Sequence, residues 1–152
     1  IGSIPELEDA DLKALLERVT DYIAHRTSDK VKISTHVPDS LPPVRLNVAL
    51  FEWVIENLCK NAVDAMGGVG VLVISVQETS RYWCIDVADT GKGIDKRYFE
   101  TVFAPGYTTK KRGWGLGLSL ARRIVVEYHS GSIFVKQSEI NKGTIFRIEL
   151  KK

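Results

Sequence analysis

The stretch TTKKRGWGLGL, residues 108–118, sets Lys110, Lys111 and Arg112 directly against Gly113, Gly115 and Gly117. Cations beside a bare backbone can take an anion, and a helix starting there adds free N–H groups and the positive end of its dipole. Two familiar phosphate turns fail at this place. The form GxxxxGK[S/T] occurs nowhere in the chain. A dinucleotide turn, GxGxxG or its alanine-ended form, needs Gly or Ala at 118 if it begins at Gly113 and at 120 if it begins at Gly115; both are Leu. Nor does an apolar strand precede it, since YTTKKR does. What remains is a basic segment joined to a helix start. A plain solvated loop is the competing account, weakened because the cations abut the glycines.

A second constellation lies on LNVALFEWVIENLCKNAVDAM, residues 46–66. At 100° per residue, Leu50, Phe51, Val54, Ile55, Leu58, Ala62 and Ala65 spread over one side, and Glu52, Glu56 and Lys60 cluster on the other. Asn57, Asn61 and Asp64 form a stripe on the border. A border polar residue is ordinarily solvated or bonded within its own helix. Two asparagines one turn apart are poor helix formers, so the stripe asks for a further reason. Carboxamide oxygens can ligate a hard cation such as Mg²⁺ without adding charge, which suits a metal already carrying phosphates.

The third is DVADTGKGI, residues 86–94. Asp89 closes a β-rich run just before Gly91 and Gly93, which puts a carboxylate at a strand end beside a backbone open to close approach. Alone, DTGKG is no more than a common turn.

The elements that must position these residues follow from pattern. Residues 9–26 read as an amphipathic helix capped by Asp9 or Asp11, and 31–37 as a strand ended by PDSLPP. Helix 46–66 stops at GGVG, and 71–78 with 82–89 form a hairpin. One or two helical turns at 96–103, a third helix at 116–128 and a closing hairpin complete the chain. Adjacent strands with helices between them predict an α+β fold, a mixed or antiparallel sheet with helices on one face.

The chain has 152 residues, 44% hydrophobic and 26% charged, with a formal net charge of +2. That suits one domain, residues 1–152, and gives no support to nucleic-acid binding or a basic membrane patch. Cys59 and Cys84 sit in separate apolar runs and read as buried reduced thiols of a cytosolic protein. No apolar run reaches the ~18 residues of a membrane span. The opening IGSIPELEDADL reads as a piece cut from a longer chain.

Taken together and in order, ENLCKNAVDAM, DVADTGKGI, VFAPGYTTK and GWGLGLSLARRIV resemble the N box, first glycine box, F box and second glycine box of the ATP-binding catalytic domain of sensor histidine kinases. That superfamily includes gyrase B, the large heat-shock chaperone ATPases and MutL. GTIFRIEL resembles its closing strand, so the likeness covers residues 11–150. It implies the Bergerat-type fold: a two-layer sandwich, a mixed and mostly antiparallel sheet covered on one face by about three helices.

The resemblance further implies ATP and Mg²⁺ as cofactors. Asn61 would coordinate the metal, with Asn57 nearby as a second candidate. Asp89 would accept from the adenine amino group, assisted by Thr144, with Gly91, Gly93 and Ile94 against the base. The span from Phe103 to Gly113, with Tyr107, Thr108 and Thr109 in it, would be a short ATP lid whose Lys110, Lys111 and Arg112 meet phosphates. Gly113, Gly115, Leu116, Gly117 and Leu118 would bring the helix start to those phosphates. Asp64 and Lys92 hold positions that pair in gyrase-like members, a structural role.

Gyrase-like ATPases carry a glutamate four residues before the metal asparagine as the base that activates water. Here that residue is Asn57, which cannot accept a proton at neutral pH. Its neighbour Glu56 is rotated toward the solvated face. The implied activity is therefore γ-phosphoryl donation to a histidine on a separate dimerisation hairpin of the parent kinase. A response regulator would act downstream, the location would be cytoplasmic, and this domain would have no direct membrane contact. A protein serine kinase of the same superfamily and a nucleotide-binding pseudokinase scaffold are the alternatives. Two departures stand out: Trp114 replaces a small hydroxyl residue, and none of His25, His36 and His129 lies in a phosphoacceptor box.

Overall fold

Two side-chain caps start the long helices. The Asp11 carboxylate accepts from the Ala14 N–H at 3.0 Å, and α1 runs Leu12–His25. The Asn47 carboxamide oxygen accepts from the Leu50 N–H at 3.0 Å, and α2 runs Val48–Met66. Gly67, left-handed at φ 65°, closes α2 with its N–H on the Asp64 carbonyl. Of the two caps expected for α1, the structure uses Asp11. Asp9 and Leu46 instead enter two three-residue strands, β1 (Glu8–Ala10) and β3 (Val44–Leu46), paired antiparallel. The computed structural model describes residues 5–107 and 117–152.

The main sheet holds β2 (Val31–His36), β4 (Gly70–Glu78), β5 (Tyr82–Asp89), β6 (Ser132–Glu139) and β7 (Gly143–Lys151) in the order β2-β4-β5-β7-β6. Only the β2–β4 pair is parallel, so the sheet is mixed and mostly antiparallel, as the sequence predicts. Alternation sorts its residues. Leu72, Ile74, Ile85, Val87 and Ile148 enter a core shared with Leu15 and Leu16 of α1 and Phe51, Val54 and Leu58 of α2. Each fully buried side chain of this kind contributes roughly 1.5–3 kcal/mol. On the other face Asp86 and its cross-strand partner Arg147 form a two-pronged ion pair, Nε–Oδ1 2.7 Å and Nη2–Oδ2 2.9 Å. Lys136 adds a third charge 3.7 Å from Asp86.

Strand β6 carries a bulge. Val135 stands opposite Phe146 and Gln137 opposite Ile145, so Lys136 is an extra residue and the inward parity reverses beyond it.

Between β5 and the third helix lie two 3₁₀ turns, Lys96–Tyr98 and Thr101–Phe103. The expected helix over 116–128 is regular only as α3 (Gly117–Arg123); Ile124–Tyr128 widens into a π-helical turn. His129 ends that turn, buried. Its Nε2 accepts from the Asn47 backbone N–H at 3.1 Å, which leaves Nδ1 to donate to the Ile124 carbonyl at 3.0 Å. Its ring meets Phe51 edge-on at 5.6 Å. It is thus a packing histidine that ties the end of the π turn to the start of α2. His25 and His36 are exposed, and both cysteines are free and buried. Among the described residues, no helix is long and apolar enough to cross a membrane.

Candidate active site

Helix α2 sets the length of the site. At Asn57 it touches the start of α3, and at Ala65 it touches the turn after β5. Those positions are eight residues apart, about 12 Å along the axis. Asn61, half-buried, lies midway.

At the β5 end, Asp89 is buried and accepts from the Gly91 N–H at 2.8 Å and from the backbone N–H of Thr144, its cross-strand partner. Burial nevertheless raises its carboxyl above the usual carboxylate range, outweighing both hydrogen bonds. Gly91 is held by packing. A Cβ there would stand 2.7 Å from the Ala65 carbonyl carbon and oxygen, and the next N–H, of Lys92, donates to that oxygen at 3.0 Å. The same contact brings Lys92 to the turn of α2 that carries Asp64. Gly93 lies against the backbone of Glu139, and Asn141 N–H reaches the Lys92 carbonyl at 2.7 Å, so the β6–β7 turn closes over this loop. Glycine here admits the protein's own backbone, a tighter reason than the openness the sequence suggested.

At the other end, a Cβ on Gly117 would sit 2.7 Å from Asn57 Oδ1 and 2.9 Å from its Nδ2. That Nδ2 is buried and has no hydrogen-bond partner among the described residues. A buried amide donor without an acceptor costs about 1–3 kcal/mol, so it marks a place for an acceptor oxygen. Glu56 faces away, paired with Lys60 at 3.1 Å. Among the described residues none is seen to stand ready to take a proton from water at Asn57.

Ile94, Tyr107 and Leu118 are half-buried against the core. Thr108, Thr109, Lys110, Lys111, Arg112, Gly113, Trp114, Gly115 and Leu116 lie outside the described residues. Sequence reasoning missed Ser138, whose hydroxyl sits 2.7 Å from both the Ile94 nitrogen and Thr144 Oγ1. Among the described residues no three His, Cys, Asp or Glu side chains cluster as a metal site. A cation at Asn61 would need other oxygens, and phosphates supply them.

The longest described helix of this α+β sandwich thus spans from the turn that follows a buried strand-end carboxylate to a carboxamide nitrogen without a partner among the described residues. A family model for the histidine kinase-, DNA gyrase B- and HSP90-like ATPases matches residues 47–152, and the chain belongs to that family. Sensor histidine kinase ZraS of Escherichia coli (strain K12) is 32% identical over 145 residues, 95% of this chain and 31% of its own. The nucleotide-free catalytic domain of histidine kinase ThkA superposes with a TM-score of 0.86 at 26% identity, covering 97% of this chain and 98% of that one. Histidine kinase ThkA in complex with response regulator protein TrrA gives 0.82 at 24% identity, over 96% and 42%. The chain spans between about a fifth and a third of the length of the curated relatives it matches.

Proposed function

We propose that this chain is the catalytic and ATP-binding domain, residues 1–152, of a longer sensor histidine kinase of two-component signalling. It would bind Mg²⁺-ATP and present the γ-phosphoryl group to a histidine on the parent's dimerisation hairpin. The observation that carries the reading is the orphaned Asn57 Nδ2, about 12 Å along α2 from the contact that seats the Asp89 turn. A nucleoside triphosphate has the chemistry these two ends lack: donor N–H groups on its base for the carboxylate, and acceptor oxygens on its phosphates for the amide.

The residues fit the cofactor. Asp89 would accept from the exocyclic amine with Thr144 beside it, while Gly91, Gly93 and Ile94 flank the base. Asn57 would donate to a phosphate oxygen, Asn61 would ligate the metal, and Gly117 and Leu118 would turn the first N–H groups of α3 toward the phosphates. Mg²⁺, when bound, neutralises charge on the transferred group. The protein's part is positioning, because the Asn57 carboxamide is no base and Glu56 is tied to Lys60. That absence favours transfer to an external nucleophile over hydrolysis. The span from Phe103 to Gly113, with Tyr107, Thr108, Thr109, Lys110, Lys111 and Arg112, would form the lid over the phosphates. The domain would act in the cytosol, with a response regulator as the downstream partner.

Calorimetric titration of ADP with Mg²⁺ tests the binding half, and an intact chain that binds no nucleotide overturns it. Labelled ATP with the parent's helical hairpin tests the transfer. An acid-labile phosphohistidine is expected, and an acid-stable phosphoserine would assign the domain to the serine kinases instead.

A further inference from the structure

The side chain of Ser138 points where a simple strand would not put it. Ile133 and Val135 face the core, and counting by twos from them leaves Ser138 on the open face. The extra residue Lys136 reverses that parity, so Ser138 stands opposite Thr144, which in turn stands opposite Asp89. A bulge that re-aims one hydroxyl into a site is a recurring device.

That hydroxyl has three neighbours: the Ile94 N–H at 2.7 Å, Thr144 Oγ1 at 2.7 Å and the Gly143 carbonyl at 3.1 Å. The Ile94 N–H can only donate, so it takes a lone pair of Ser138. The single Ser138 proton then goes to the nearer acceptor, Thr144 Oγ1, at the usual O–H···O distance. With one lone pair filled from behind, Thr144 is left to donate its own proton forward.

Resting on the nucleotide reading above, we propose that Ser138 is a positioning residue that fixes the Thr144 hydroxyl as a donor beside Asp89. Acceptor and donor side by side match the exocyclic amine and ring N1 of adenine. They oppose hypoxanthine, which presents a carbonyl oxygen and an N1–H in the same places. The pair therefore sets base specificity, and Ser138 holds its polarity. The reverse relay, Thr144 to Ser138 to Gly143, would make Thr144 an acceptor and set it against ring N1 of adenine.

The test is calorimetric titration of ADP and inosine diphosphate into the unaltered chain, Ser138→Ala and Ser138→Thr, with melting curves as a check on folding. The unaltered chain is expected to prefer ADP. Ser138→Ala should weaken ADP by about three- to tenfold, the worth of one hydrogen bond. It should leave inosine diphosphate no weaker and its disadvantage against ADP smaller, because a freed Thr144 hydroxyl can turn to accept from N1–H. Ser138→Thr keeps the hydroxyl and should keep the ADP preference. Equal loss of both ligands in Ser138→Ala, an unchanged ratio, or an unaltered chain that prefers inosine diphosphate overturns the inference while leaving the nucleotide site standing. If the unaltered chain binds neither ligand, the nucleotide reading falls and the inference with it. Should Ser138→Ala not fold, Ser138→Cys, a weak donor, is read in the same way.

Discussion

Gly117 and Asn57 are in direct contact, the bare Cα of the first α3 residue resting on a carboxamide whose nitrogen has no partner among the described residues. The two positions are sixty residues apart in sequence, so the contact joins the helix that follows the phosphate-like turn to the stripe on α2. It makes the start of α3 and the orphaned donor one unit. Anything that moves one disturbs the other.

That unit predicts coupling. In Gly117→Ala the new Cβ forces the Asn57 side chain to turn, although Ala itself suits a helix better than Gly. ADP affinity should fall by about tenfold, equivalent to ~1.4 kcal/mol. In an Asn57→Ala background the same change should cost less than about threefold, since its collision partner is gone. A double-mutant cycle by calorimetry measures this, and additive effects would deny the coupling.

Asp89→Asn should separate binding from stability. Burial lifts the folded carboxyl above the ordinary aspartate value of 3.8, so the folded chain holds its proton more tightly than the unfolded one. The free chain therefore gains stability from this group as pH falls through the raised pKa toward 3.8, and it carries a desolvated charge at neutral pH. Removing that charge should leave the melting temperature of the free chain at pH 7 equal or higher. ADP affinity should drop roughly ten- to hundredfold, the range for a hydrogen bond to a charged acceptor. A variant that melts much lower would make Asp89 a structural carboxylate.

Much of this site is readable from residue order alone, for reasons that differ by element. The stripe of Asn57, Asn61 and Asp64 shows because nineteen residues of α2 give five turns of period to count. Asp89 shows because it ends a run of strand formers just before two glycines. Strands β1 and β3 do not, since three residues hold too little alternation to stand out beside the helices they adjoin. Ser138 fails differently. A period of two counted from Ile133 and Val135 would give the wrong face, because nothing in VKQSE signals that Lys136 is the added residue. The π turn at Ile124–Tyr128 keeps the apolar spacing of an ordinary helix and was equally hidden.

The pair of Asp86 and Arg147 belongs to stability alone. Both side chains are largely shielded, 9% and 15% exposed, on the face of the sheet away from the helices. Asp86→Ala removes both carboxylate acceptors and leaves Nη2 of the guanidinium only the longer bond to Gln77 Oε1 at 3.5 Å, and should destabilise the fold by about 2 kcal/mol or more. Replacing both residues by Val suits a strand and should cost less than the single change, with ADP binding unaffected. Urea unfolding of the three chains decides it.

His129 should make the fold sensitive to mild acid. Burial holds its imidazole below the ordinary value of 6.5, against the opposing pull of the Ile124 carbonyl. The neutral ring is also demanded by its partners. Nε2 accepts from the Asn47 N–H, and a proton there would set donor against donor at the cap of α2. A histidine that binds its proton less well folded than unfolded leaves stability intact above about pH 6.5 and erodes it as pH falls below that value. His129→Gln removes the titration, so its unfolding free energy should fall less steeply between pH 7 and pH 5.5 than that of the unaltered chain. His129→Ala should cost about 3 kcal/mol at pH 7, through lost packing on Phe51 and two backbone groups left unpaired, and less as pH falls and the unaltered chain weakens. Equal slopes in the unaltered and Gln chains would place the acid sensitivity elsewhere. The damage should also reach the nucleotide: the group that loses its acceptor is the backbone of Asn47, whose side chain caps the helix bearing Asn57 and Asn61. Weakened ADP binding should therefore accompany His129→Ala under conditions where the chain is still folded.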